Sequence, residues 1–137
     1  MEKEEITPSE WQIMEVLWAS DEPLTSSEVY KRMKGTVDMS QRTVRVLMNR
    51  LSGKDMLGYT VDAHDSRVYH YYAQKSKDAC VKEKSRRFVD SYFSGSGTSA
   101  MAALLQSFVL TDEQIRELEE ILENSKEQGM KSPDKEG

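Results

Sequence analysis

The sequence predicts a mainly α fold of the α+β kind, on three observations. Three successive segments have helical apolar stripes, the period then changes to two short runs rich in β-branched and aromatic residues around a turn, and helical periodicity returns after residue 75. Three helices followed by a hairpin within about 75 residues is the plan of a winged helix, in which the second and third helices form a helix-turn-helix and the hairpin is the wing. A helical region completes the chain.

The first element opens at Thr7-Pro8-Ser9-Glu10, where a capping hydroxyl, a proline in the first turn and an acid suit the positive end of a helix. Trp11, Ile13, Met14, Leu17 and Trp18 follow at spacings of three and four and make one buried face; Asp21-Glu22-Pro23 ends it. Thr25-Ser26-Ser27-Glu28 fits a capping box for a second helix with Val29, Tyr30 and Met33, closed by Gly35. Ser40 caps the third. Behind it Val44, Leu47, Met48 and Leu51 form an i, i+3, i+4, i+7 stripe, while Gln41, Arg42, Arg45, Asn49 and Ser52 occupy the other side, with Gly53 near the end.

Leu57–Val61 and Arg67–Tyr72 read as the two strands of a hairpin, turned by Ala63-His64-Asp65-Ser66. Ser76 then opens a helix with Val81, Phe88, Val89 and Tyr92 on its apolar side, and Ser94-Gly95-Ser96-Gly97 breaks it. Thr98 or Ser99 is expected to cap a segment bearing Met101, Leu104, Leu105 and Phe108. Thr111-Asp112-Glu113 starts a last helix with Ile115, Leu118, Ile121 and Leu122 inward. The organisation expected is a winged-helix DNA-binding domain over 1–74, a helical dimerisation domain over 75–125 and a disordered tail over 126–137. Three amphipathic helices have little core of their own, and short helices seldom persist in water alone. Phe88, Tyr92, Leu104, Leu105, Phe108, Ile115, Leu118 and Leu122 are therefore expected to meet a second copy. A two-fold dimer of this kind sets two reading helices about 34 Å apart, one turn of DNA.

Charge is unevenly distributed. The 137 residues include 24 acids and 19 Lys and Arg, a net −5, which argues against a protein basic all over. Yet residues 31–54 hold seven basic side chains against one acid, and residues 75–87 hold six against two. Residues 111–127 reverse the sign, with seven acids against two bases. Segregated blocks of this kind suit a polyanion-binding face on an otherwise acidic protein. No apolar run approaches the roughly 18 residues a membrane span needs, and the polar, acidic start has no secretory pattern; a cytoplasmic protein without membrane contact is expected. The single cysteine excludes an internal disulfide and any zinc site built on several thiolates, and Cys80 reads as a small helix-core residue.

Ser40-Gln41-Arg42-Thr43-Val44-Arg45 is the sharpest candidate site. In a helix-turn-helix the first residues of the third helix reach base edges, where arginine donates two hydrogen bonds to guanine and hydroxyls or amides suit other edges. A solvated helix face is the plainer reading of the same residues, and it is the coupling to a helix-turn-helix and a wing that favours DNA. Arg67, Tyr69 and His70 flank the hairpin tip, and Arg67 is the better phosphate contact; Tyr71 and Tyr72 read as packing residues. His64 and His70, with Asp62 and Asp65 nearby, lack a third well-placed ligand and read as surface groups, so no metal and no cofactor is expected. No glycine-rich phosphate loop, paired-histidine protease motif or nucleophile elbow is present, and an enzyme is not expected.

Ile6–Trp18 resembles the opening of the penicillinase-repressor family, the BlaI/MecI/CopY type, and Ser40–Leu51 is similar to that family's recognition helix; the spacing of the two blocks also fits. The similarity is specific across roughly residues 6–60 and loose beyond. It implies a dimeric repressor of a resistance operon that binds double-stranded operator DNA, with Ser40, Arg42, Thr43 and Arg45 in the operator-contacting set and Arg50 and Arg67 nearer the phosphates. The copper-responsive members have paired Cys-x-Cys motifs that this chain lacks. The β-lactam-responsive members are cut by a regulatory protease at an Asn-Phe bond; the nearest match here is Gln106-Ser107-Phe108, which puts a proteolytic switch at Ser107 and Phe108 but lacks the Asn. Met39 and Val46 stand where the family usually has tryptophan and threonine. The reading this supports is a homodimeric repressor on a palindromic operator of a resistance or stress operon. Its rival is a winged-helix module that binds an acidic protein without reading DNA sequence.

Overall fold

The computed structural model describes residues 5–131. Three helices, α1 (Pro8–Trp18), α2 (Ser26–Met33) and α3 (Gln41–Gly53), precede an antiparallel hairpin of β1 (Leu57–Val61) and β2 (Tyr69–Ala73). Three more helices follow, α4 (Lys77–Phe93), α5 (Gly97–Ser107) and α6 (Asp112–Lys131). This is the expected winged helix, mainly α, with a helical extension.

Short local devices define the helix starts. Thr7 and Thr25 each take the backbone N–H of the glutamate three residues on, at 3.2 Å for Glu10 and 3.1 Å for Glu28, and each glutamate returns the bond to the threonine's own N–H. Both capping boxes satisfy donors that a helix start leaves unpaired. The end of α3 is set one step later than glycine placement suggests. Gly53 remains helical, and Asp55 adopts the left-handed conformation (φ +64°). The Met56 N–H then reaches Leu51 O at 2.9 Å, and the Asp55 N–H reaches Ser52 O at 3.1 Å, a Schellman closure that turns the chain into β1. Aspartate tolerates this region better than most residues.

The apolar stripes converge on one core. Ile13, Met14, Leu17, Val29, Met33, Val44, Met48, Leu51 and Leu57 are nearly inaccessible, and Tyr71 closes the core from the hairpin. Leu24, in the link between α1 and α2, exchanges both backbone hydrogen bonds with Tyr71, at 2.9 and 2.7 Å, a short third bridge at the base of the wing. Trp11 and Trp18 stand edge-on with centroids 5.2 Å apart, half-buried against this core, and the Trp18 indole donates to Lys75 O at 2.8 Å. Tyr72 packs elsewhere than the core: it lies across Gly58, its cross-strand partner, where a Cβ would meet the ring within 2.6 Å.

Four features differ from the sequence expectation. The first compact unit continues to Ser85, past the boundary expected at 74, because the first half of α4 is tied to it. Cys80 is buried in the core, Lys77 pairs with Glu15 at 3.1 Å, and Lys84 donates to Ile6 O at 2.8 Å. Burial pushes the Cys80 thiol above its ordinary pKa, against the pull of Lys75, so it is a poor nucleophile. The second strand begins at Tyr69, leaving Arg67 in a tip loop that spans 62–68. Ser96, not Thr98 or Ser99, caps α5, its Oγ taking the Ser99 N–H at 3.2 Å. The tail expected from residue 126 is helical as far as Lys131, within α6, and residues 132–137 lie outside the described residues.

The second unit begins at Arg86 and holds the rest of α4 with α5 and α6. Ala100 is its one buried residue among those described. Phe88, Tyr92, Leu104, Leu105, Phe108, Ile115, Leu118 and Leu122 are all exposed, Leu122 at 61% and Tyr92 at 74%. Within this unit Phe88 touches Tyr92 and Phe93, at centroid distances of 5.4 and 5.7 Å. Among the described residues, no helix is long and apolar enough to cross a membrane.

Candidate nucleic-acid interface

The site is built on α3. Val44, Leu47, Met48 and Leu51 lock one face of this helix into the core, so the opposite face must point to solvent. That face presents Gln41, Arg42, Thr43, Arg45, Asn49 and Arg50, all exposed. The helix has three arginines and no acid, and among the described residues none of the three makes an ion pair. Arg42 and Arg45 near the positive end of the helix form a local anion attractor, and Arg50 adds its charge in the last turn. Arginine also supplies the planar fork that matches guanine or phosphate in a bidentate way.

Ser40 and Thr43 are engaged differently. Ser40 is the N-cap, with its Oγ taking the Thr43 N–H at 3.1 Å, and the two hydroxyls lie 3.0 Å apart. Each side chain is thus held by the helix start, and each keeps hydrogen-bonding capacity toward a ligand that approaches this end. Ser40, Gln41, Arg42 and Thr43 come together at the first turn, whereas Arg45 and Arg50 follow along the exposed side. Arg67 lies apart from them, on the wing.

The wing tip is a network of its own. One Asp62 oxygen lies 2.8 Å from His70 Nε2, and the other takes the N–H groups of His64 and Asp65 at 2.9 and 3.1 Å. The His70 contact, helped by these N–H groups, holds the Asp62 carboxyl below its ordinary pKa. Arg67 grips Asp65 with two guanidinium nitrogens at 3.1 and 3.3 Å, which holds the Asp65 carboxyl low. The Arg67 side chain is 87% exposed, so this pair is weak in water and open to exchange for a phosphate. His64, His70, Asp62 and Asp65 therefore order the loop. Among the described residues, no group of three or more His, Cys, Asp or Glu is placed to hold a metal ion.

Two features went unnoticed in the residue pattern. Val46 is 41% exposed and shares the outward stripe with Arg42, Arg45 and Asn49, at the i, i+3, i+4, i+7 spacing that starts from Arg42. That spacing is legible in the sequence alone. On the wing, Tyr59 and Tyr69 stack face to face with centroids 4.3 Å apart and planes 4° apart, and both are partly exposed. Their pairing depends on strand register, which sequence alone leaves open.

The fold and this basic, outward-facing third helix define a winged-helix transcription regulator. The profile of the penicillinase repressor family matches residues 6–124, and the chain belongs to that family. It is a transcriptional repressor of the BlaI/MecI type and not an enzyme. The penicillinase repressor of Bacillus licheniformis is 27% identical over 122 residues, covering 89% of this chain and 92% of its own length. The methicillin resistance regulatory protein MecI of Mammaliicoccus sciuri is 24% identical over 118 residues, covering 86% and 93%. An S. aureus MepR mutant bound to an oligodeoxyribonucleotide has the same fold, with a TM-score of 0.50 and 20% identity over 89% of this chain and 78% of that one.

Proposed function

We propose that the chain works as a cytoplasmic homodimer that represses transcription by occupying a palindromic operator, one α3 in the major groove of each half-site. The observation that supports this best is the outward face of α3, with Arg42, Arg45 and Arg50 free of acidic partners among the described residues, on a helix whose other face is locked into the core. The names of the relatives point to a resistance operon as the target. Phosphate contacts by Arg45, Arg50 and Arg67 supply affinity and a steep salt dependence, while Gln41, Arg42 and Thr43, with Ser40 at the cap, address base edges. The exposed apolar side chains of α4, α5 and α6 support pairing with a second copy, since a monomer leaves them in water.

Footprinting of the purified chain on the promoter of its own gene cluster, with competitor DNA at two salt concentrations, tests this reading. Two protected half-sites about one helical turn apart are expected. Binding that falls with salt but ignores DNA sequence would instead favour a module for an acidic protein partner. Arg42→Ala should then flatten the preference for operator over random DNA, at about 1–3 kcal/mol for a lost bidentate contact. Equal losses on both DNAs would reduce Arg42 to a phosphate contact.

Release by a regulatory protease is favoured by the surroundings of Ser107 and Phe108. α5 ends at Ser107, Phe108 is extended (φ −127°, ψ 151°) and 63% exposed, and Val109 is 99% exposed. Extended, exposed links between helices are preferred sites of cleavage. A cut there separates α6 from the rest and removes the advantage of two linked half-site contacts. An intact chain recovered from fully induced cells rules this route out.

A further inference from the structure

We infer that Val46 is a specificity residue that reads the C5-methyl group of a thymine in each operator half-site; the inference rests on the proposed operator binding and deepens it. Val46 is 41% exposed, with no place in the core that Val44, Leu47 and Met48 fill from the other side of the same helix. It lies in the outward stripe, one helical turn from Arg42 and from Arg50 and beside Arg45. Val46 is a branched apolar side chain set among three guanidiniums that make no ion pair among the described residues. It is the complement of an apolar group set among hydrogen-bonding edges and phosphates.

The major groove of B-DNA offers one such group, the thymine methyl. Valine is suited to it, because its χ1 is nearly fixed in a helix and its two methyls present a stiff surface close to the backbone. The arginines on either side hold the helix close enough for so short a side chain to touch the base edge. Val46 thus adds sequence information that the polar residues of α3 do not contain.

Replacing thymine by deoxyuridine removes this methyl and leaves every hydrogen-bonding edge intact. The experiment measures affinity of the full chain and of Val46→Ala for the footprinted operator, with each thymine replaced in turn, symmetrically in both half-sites. Alanine is a better helix former than valine at an exposed site, so the variant keeps α3. One position is expected at which the wild type loses about fourfold per half-site, the worth of a buried methyl-sized group, and at which Val46→Ala, with only its Cβ left, loses clearly less. Equal sensitivity of both proteins at every thymine, or no sensitivity in either, overturns the role of Val46 while leaving operator recognition in place. Failure of the wild type to prefer the unmodified operator over mixed-sequence DNA overturns both.

Discussion

Leu122→Glu should leave the winged helix folded and weaken operator binding by about 10²- to 10⁴-fold, the advantage lost when two linked contacts become independent. Leu122 is 61% exposed in the single chain, so a glutamate there disturbs little within one copy. In a dimer built on the exposed stripe of α6, the same glutamate enters an apolar contact and is repeated by symmetry. Burying a carboxylate without a partner is costly, and the two like charges repel. Sedimentation equilibrium should show a monomer, and gel-shift titration should show the weakened binding with a shallower salt slope. An undisturbed dimer with unchanged affinity would take α6 out of the interface.

The second large effect concerns the joint between α1 and α3. Glu10 is fully buried, and its Oε1 accepts a 2.7 Å hydrogen bond from the Lys54 ammonium at the end of α3. Lys54 also donates to Glu5 O at 2.8 Å, while Glu10 Oε2 has no hydrogen-bond partner among the described residues. Burial pushes the Glu10 carboxyl up, but the Lys54 hydrogen bond and charge, with the bonds to Thr7, outweigh it and hold the carboxyl below its ordinary value. Lys54→Met keeps the apolar stem and leaves a buried carboxylate uncompensated, a loss of about 3–5 kcal/mol measurable by urea denaturation. Glu10→Gln combined with Lys54→Met should recover much of that loss, because no charge is then stranded.

The pH dependence supplies the sign. A carboxyl with a lowered folded pKa stabilises the wild type above its unfolded pKa, and the contribution fades as pH falls through the folded value. In Lys54→Met the ammonium is gone and burial pushes the carboxyl up, so protonation relieves that variant. The gap between the two proteins should therefore begin to shrink above about 4.5, the ordinary value, as the variant's carboxyl takes up its proton, and go on shrinking below it as the wild type's does. A gap that stays constant with pH would mean that Lys54 acts by packing alone.

How much of this was legible in the sequence depends on the range of the interaction. The helix starts at Thr7, Thr25 and Ser40 involve partners three residues apart, and the inward stripe of α3 repeats every three or four, so both follow from local spacing. Ser96 was misread because Thr98 and Ser99, two and three residues on, have equally good capping hydroxyls, and backbone geometry chose between them. The end of α6 was misread because polar, weakly patterned residues continue a helix already nucleated upstream.

By itself, the sequence determined the three-helix and hairpin order, the basic third helix, and the family blocks at residues 6–18 and 40–51. Only the tertiary structure decided that Glu10 meets Lys54 across 44 residues, that Leu24 bridges to Tyr71, and that the first half of α4 joins the first unit. It also decided that Tyr59 and Tyr69 stack on the wing, a pairing set by strand register. The reason is physical. Periodicity and capping are set by the geometry of one helical turn, whereas these contacts depend on how the elements pack around a shared core, which no local pattern encodes.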